Sequence, residues 1–275
     1  MAVPHVIPYQ GSKRLLAPAI LAVLQERRAG KLRRLYEPFG GSAALTLAAA
    51  QLNLAEQFVL ADSYGPLMAL WQAVVETPTE LATAYRQTWH AGDYAAVRQA
   101  FHAAPTPERL LYLLTRCVKA AVRFNRQGAF NQAADKRRLG THPDRLERAV
   151  HATAALLQGR ALLRTGDALQ TTADAQAGDV AYLDPPWHGT TVGRDARYHA
   201  GYDAAQLHGL IDALHDRGVL VLLSYDGKRG GRDFAQALPD SLQRLDLPAM
   251  RSAQATLLGR TEWTTESLYV TRRLG

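Results

Sequence analysis

One pattern constrains this chain more than any other: an apolar strand, a glycine turn, a helix and a second strand in succession, met over residues 32–71 and again from residue 161. In the first unit LRRLYE runs into Pro38-Phe39-Gly40-Gly41, a helix opens on Ser42, and the strand FVLA ends at Asp62. In the second, the strand ALLRTGDAL leads to DVAYLDPPW, an irregular stretch to residue 201, a helix over 203–217 and the apolar run GVLVLLSY. Strands this apolar cannot leave a face to water, and their alternation with helices predicts a parallel sheet covered on both sides. The fold class expected is α/β, a doubly wound Rossmann-like sheet. Residues 77–159 break the rhythm. They carry no strand pattern, only helical segments such as PERLLYLLTRCVKAAV and HPDRLERAVHATAALL on either side of the polar RFNRQGAFNQAADKRRLGTHP. The expected division is an α/β domain from residues 1–76 and 160–275, interrupted by a helical insertion at 77–159.

Composition narrows the function classes. With 275 residues, 47% of them hydrophobic, the chain can bury a sizeable core. No window approaches the roughly 18 consecutive apolar residues of a membrane span. The opening MAVPHVIPYQGSKR has no apolar stretch behind a basic start, so no secretory leader is expected and a cytoplasmic location is. The single cysteine, Cys117, lies in an apolar run and can form no internal disulfide; a core position is expected. Nine histidines are scattered without metal-ligand spacing, so no metal is expected. Thirty-two Lys and Arg against 25 Asp and Glu give a net charge of +7. Ten of those basic residues fall within 105–150 against four acids, so the insertion holds most of the excess. A surplus gathered on one segment predicts a polyanionic partner, nucleic acid first, although an arginine-rich face can also be merely solvated.

Asp184-Pro185-Pro186-Trp187 follows the apolar strand VAYL. Two prolines fix φ and remove two backbone donors, so the chain leaves the sheet stiffly with its carbonyls free to accept. Such a tip offers a carboxylate, a carbonyl and an aromatic face. A flat heterocycle with an exocyclic amine would use all three, donating to Asp184 and to the Pro185 carbonyl and stacking on Trp187. The plainer possibility is a proline turn with a core tryptophan.

This tetrapeptide resembles the Asp-Pro-Pro-Tyr motif of amino-group DNA methyltransferases, and the order of the other pieces is similar to the Dam-like class of DNA adenine-N6 methyltransferases. Pro8-Tyr9-Gln10-Gly11-Ser12-Lys13 is similar to that family's N-terminal segment near the cofactor. Tyr36-Glu37-Pro38-Phe39-Gly40-Gly41-Ser42-Ala43 looks like its cofactor loop, Asp62 stands where the family has an acid on the ribose hydroxyls, and Gly166-Asp167 resembles its element beside the adenine. Arg123-Phe124-Asn125, with Gly128 and Phe130-Asn131, resembles its DNA-side segment. The resemblance implies a methyltransferase sheet with a helical target-recognition insertion and S-adenosylmethionine as cofactor. It implies Asp184, Pro185, Pro186 and Trp187 as the catalytic tip. Cofactor contacts would come from Tyr9, Gly11, Lys13, Glu37, Pro38, Phe39, Gly40, Gly41, Ser42, Asp62 and Asp167. Double-stranded DNA would be met by Arg123, Asn125, Arg126, Asn131, Lys136, Arg137 and Arg138. Because that donor carries an activated methyl, the chemistry asks for positioning, with the target adenine flipped out of the duplex.

Two departures stand out. Ala43 replaces the second glycine of the cofactor loop, where a methyl could crowd the donor, and Trp187 replaces the usual tyrosine. Asp62 can also simply cap the next helix, and Gly166-Asp167 can simply turn the chain. Cytosine-N4 methylation is the nearest alternative, although that class more often opens the motif with serine. A non-catalytic DNA-binding module and a protein-glutamine methyltransferase are more distant ones. A chain of this kind works either alone or beside a cognate restriction endonuclease, as a monomer or a dimer.

Overall fold

A computed structural model of the chain describes residues 2–9, 11–28, 30–118, 125, 130–137, 139–186, 202–229, 232–233, 238–247, 250–251 and 263–272. Five parallel strands form the first part of its sheet: β1 (Leu32–Glu37), β2 (Ala55–Asp62), β3 (Ala161–Thr165), β4 (Val180–Leu183) and β5 (Leu220–Arg229). Two short strands, β6 (Arg232–Asp233) and β8 (Met250–Arg251), flank the later ones. Two more complete the sheet: β7 (Leu242–Asp246), and β9 (Trp263–Thr271), which inserts antiparallel between β5 and β7. The order is β3-β2-β1-β4-β5-β9-β7. The chain winds outward from β1 to β3, then returns to lay β4 on the other side of β1. The loops leaving β1 and β4 therefore part in opposite directions, and a crevice opens between them at their carboxyl ends.

Strand residues alternate between two cores. Leu35, Phe58, Leu60, Val180, Tyr182 and Leu222 face one side, while Tyr36, Val59, Ala181, Leu183, Val221 and Leu223 face the other. The second side is covered by α8 (Ala168–Thr171) and α9 (Ala204–Asp216), the latter opened by a capping box in which Asp203 and Gln206 satisfy each other's backbone N–H. The first side carries α1 (Ala17–Arg27), α2 (Ala44–Gln51) and α3 (Gly65–Glu76). It also carries four helices of the 77–159 segment: α4 (Pro78–Ala91), α5 (Tyr94–Ala103), α6 (Pro107–Arg116) and α7 (Pro143–Leu157). Trp71 of α3, Tyr85 of α4, Leu110 of α6 and Val150 of α7 belong to one continuous apolar cluster with the sheet. The helical segment is thus docked through hydrophobic contact, and Arg86 of α4 adds ion pairs to Asp144 and Glu147 on α7 at 2.7 and 2.8 Å.

Three local expectations give way. The helix read from PERLLYLLTRCVKAAV ends at Arg116, because Cys117 turns extended and bridges Ala134, with Val118 N–H on the Ala133 carbonyl and Asp135 N–H on the Arg116 carbonyl. Tertiary pairing here outweighs helical periodicity. Cys117 itself is buried, as its apolar setting predicted. The strand read from ALLRTGDAL stops at Thr165, since Gly166 takes a φ of 148° and the Asp167 carboxylate accepts the Leu169 N–H to start α8. The helix after the glycine turn begins at Ala44 rather than Ser42. Among the described residues no helix is long and apolar enough to cross a membrane.

Candidate active site

The loop after β1 is fixed by backbone geometry. Gly40 donates its N–H to the Ala61 carbonyl at 2.7 Å, and a Cβ built on Gly40 would lie 2.8 Å from that same oxygen. Only glycine lets the loop pass this close to β2. The Gly41 carbonyl accepts from the Trp71 indole N–H at 3.0 Å. Asp62, at the end of β2, closes the arrangement: its Oδ2 accepts the Gly41 N–H at 3.1 Å and its Oδ1 the Tyr64 N–H at 3.0 Å. The acid expected on a ribose is therefore also the peg that ties the glycine loop to the start of α3.

Opposite this loop stands a cluster of charge around the buried Lys13, with Asp184 and Glu266 half-buried beside it. Asp184 follows β4 directly, and its Oδ1 lies 2.8 Å from the Lys13 ammonium. Lys13, on the segment before α1, is 8% exposed and also lies 3.5 Å from Glu266 Oε2 on β9. Burial pushes the carboxyls of Asp184 and Glu266 above their ordinary range, and Lys13 opposes that push for both. Glu37, at the end of β1, is 4% exposed and accepts the Thr46 N–H at 2.8 Å. Its carboxyl is pushed up to about 7, first by burial and then by the charge of Asp184, against the hydrogen bonds from Thr46. Behind them the Tyr182 phenol, 2.9 Å from the Ser224 hydroxyl, is held protonated by burial and by the same carboxylates.

Both features face one cleft of about 1100 Å³ of empty space, its open mouth included. All eleven residues expected around a cofactor line it: Tyr9, Gly11, Lys13, Glu37, Pro38, Phe39, Gly40, Gly41, Ser42, Asp62 and Asp167. Asp184, Pro185 and Pro186 of the expected catalytic tip line it too, whereas Trp187 lies outside the described residues. Sequence reasoning missed Tyr202 and Gln206, which come from the start of α9, and Tyr202 meets Phe39 edge-on at 5.0 Å between ring centres. A helix over 203–217 was expected, but nothing local says that its start reaches the cleft. Glu266 was missed as well, because a lone glutamate in a strand carries no motif.

A family model described as D12 class N6 adenine-specific DNA methyltransferase matches residues 9–253. The chain belongs to this family. A DNA N-6-adenine-methyltransferase of Escherichia phage P1 is 29% identical over 215 residues, 74% of this D12-class chain; the chain spans 28% of that relative's length. Among solved structures, a candidate methyltransferase from Escherichia coli shares 12% identity at a TM-score of 0.38, over 94% of this chain and 81% of its own. A candidate methylase from Haemophilus influenzae shares 10% at 0.39, over 94% and 98%.

Ala43, the departure in the D12-class glycine loop, adopts φ 50° and ψ 36°, the left-handed conformation that favours glycine. Its methyl is fully buried in the core and does not line the cleft, so it does not crowd that space and its strain falls on the backbone. Of the residues expected to meet DNA, Arg123, Arg126 and Arg138 lie outside the described residues. Asn125 is half-buried, while Asn131, Lys136 and Arg137 are exposed, Arg137 at 88% with Asp135 3.7 Å from its guanidinium. Helix α5 holds this segment through Tyr94 OH on the Gln132 carbonyl and His102 on the Phe130 carbonyl, both at 2.8 Å. Not every cation of the insertion faces outward: Arg109 donates to the Ala104 carbonyl and Arg116 to the Tyr112 hydroxyl.

Proposed function

We propose that this chain transfers a methyl group from S-adenosylmethionine to the N6 amine of adenine in double-stranded DNA, in the cytoplasm, with residues 77–159 as the DNA-recognition unit. The observation that carries it is the convergence of the glycine loop and the Asp184-Pro185-Pro186 tip on one cleft at the switch point of the sheet, in a chain of the D12 family. The donor set suits that cofactor: an acid at the end of β2 for a diol, aromatic edges at Phe39 and Tyr202, and buried carboxylates for a cationic chain. When bound, S-adenosylmethionine supplies a sulfonium-activated methyl. Asp62 and the Gly40-Gly41 loop would hold its nucleoside end, and Glu37 and Asp184 would face its charged end.

An amine conjugated to a purine is a poor nucleophile, because its lone pair is delocalised into the ring. Asp184 and the Pro185 carbonyl accept its two N–H groups, which favours a tetrahedral nitrogen and aims the lone pair at the methyl. The carboxylate then stabilises the positive charge that grows on nitrogen, and the proton leaves to solvent. Flipping the adenine out costs a few kcal/mol, and stacking on Trp187, on the order of 1–3 kcal/mol, offsets part of this. Lys136, Arg137 and Arg138, with Arg123, Asn125, Arg126 and Asn131, meet the duplex, and a cognate restriction endonuclease is a candidate partner. Expression in a methylase-deficient host followed by base-resolved sequencing of its DNA tests the activity. The expected product is N6-methyladenine in one short sequence context, and unmodified adenine beside N4-methylcytosine would replace the proposal with its nearest alternative.

A further inference from the structure

Among the described residues two carboxylates pair with Lys13, and they differ in their relation to the cleft. Asp184 lines it, whereas Glu266 does not; it reaches the ammonium from β9, beside a register shift in which β5 places one extra residue between Tyr225 and Gly227 opposite Ser267 and Glu266. Bulges of this kind re-aim side chains next to sites. The charge count gives the second partner a purpose. Were Asp184 paired with Lys13 alone, the two would cancel and the carboxylate would offer little field to a cation. Two carboxylates sharing one ammonium keep a net negative charge at the cleft wall, in surroundings where charge is weakly screened.

We infer that Glu266 is a positioning residue that acts through Lys13: it takes up the ammonium's charge so that Asp184 remains an effective anion towards the cationic methyl donor and the amine that becomes cationic during transfer. The inference rests on the function proposed above, and its test includes a measurement that needs no turnover. S-adenosylmethionine carries a sulfonium, while its demethylated product S-adenosylhomocysteine is a neutral thioether, so the ratio of their dissociation constants reads the field directly.

Glu266→Gln keeps the shape and removes the charge. It should narrow that ratio several-fold and lower kcat about tenfold, with KM for DNA little changed. Glu266→Asp, which keeps the charge, should recover most of both. A structural role for Glu266 would weaken both nucleosides alike and leave their ratio unchanged. An unchanged ratio in Glu266→Gln would overturn the inference. If Glu266→Gln does not fold, Glu266→Ala is read in its place: the same narrowing is expected, and a wild-type ratio counts against the inference. A wild-type chain that binds both nucleosides with the expected preference yet methylates no adenine would refute the proposed function and leave the charge arrangement standing.

Discussion

The two walls of the cleft hold their acids in opposite ways. On the β1–β2 wall, Asp62 accepts two backbone N–H groups, from Gly41 and Tyr64. On the β4–β9 wall, Asp184 is held by a lysine side chain that it shares with Glu266. Backbone donors cannot turn away without unfolding their loop, so Asp62 is part of the scaffold and its position is set before anything binds. A lysine on a four-carbon stem can shift, so Asp184 keeps acceptor capacity for an incoming amine. The first wall is built to hold and the second to respond. The fully buried Glu37 belongs to the holding wall by its bond to Thr46 N–H, but it feels the charge of the other.

The largest effect should fall on the responding wall. Asp184→Ala should reduce methyl transfer at least about a thousandfold, by loss of a charge that faces the reacting amine. The melting temperature should largely survive, because Glu266 still pairs with Lys13, while S-adenosylmethionine should lose much of its preference over S-adenosylhomocysteine. Trp187→Ala should be less severe, and Trp187→Phe or Trp187→Tyr should retain most activity, since each keeps a stacking face. Radiolabelled transfer to duplex DNA, measured beside thermal melts, checks the series. An Asp184→Ala protein that methylates adenine near the wild-type rate would end the distinction between the walls.

Next in size is the pH dependence of Glu37. Its carboxyl, pushed up to about 7, binds its proton more tightly folded than unfolded, so the stability it lends is complete below its ordinary range near 4.5 and is lost as pH rises through 7. Over that interval the loss is roughly 3 kcal/mol. Glu37→Gln keeps the acceptor for Thr46 N–H and removes the titration. Urea melts of the cofactor-free protein at about pH 5 and about pH 8 should show a stability difference in the wild type that this variant reduces by about that amount. Equal slopes in the two proteins would mean that Glu37 is already ionised in the cleft.

Asp62→Ala tests the holding wall, and its two functions separate. Loss of a charged acceptor should weaken S-adenosylmethionine by roughly 1.5–3 kcal/mol. The same change releases the N–H groups of Gly41 and Tyr64, so the melting temperature should fall even without cofactor. An Asp62→Ala protein that binds as before by calorimetry, but melts lower, would make this residue scaffold only.

How far these walls were legible follows from the same contrast. The holding wall is local: a glycine turn after one strand and an acid ending the next are read directly from Glu37 to Asp62, and their meeting follows from the parallel pairing of β1 with β2. Doubly wound topology was legible for the same reason, in strands apolar on both faces. Asp184 was legible because two prolines mark its place. Glu266 and Tyr202 were not, because their approach to the site depends on how β9 inserts between β5 and β7 and on where α9 begins, and neither leaves a short-range signal. The misplaced end of α6 has the same origin, since a bridge from Cys117 to Ala134 outweighs a helical repeat.

The smallest effect is expected at Ala43, where three terms nearly cancel. Left-handed backbone costs an alanine about 1–2 kcal/mol, which glycine would relieve. Glycine would in turn add about 0.5–1 kcal/mol of unfolded-state entropy and remove a buried methyl worth about 0.8 kcal/mol. Ala43→Gly should therefore change stability by less than about 1 kcal/mol and leave donor affinity untouched, because the methyl points into the core. The neighbouring glycines behave differently. Gly41, at φ 46°, would bring a Cβ to 3.3 Å from the Tyr9 ring, and Gly40 would drive one to 2.8 Å from a backbone carbonyl that cannot retreat without moving β2. Stability loss should therefore rise from Ala43→Gly through Gly41→Ala to Gly40→Ala, read from urea midpoints of the three proteins. Should Ala43→Gly instead tighten the donor severalfold, the methyl would belong to the cleft, and the holding wall would be less complete than its hydrogen bonds indicate.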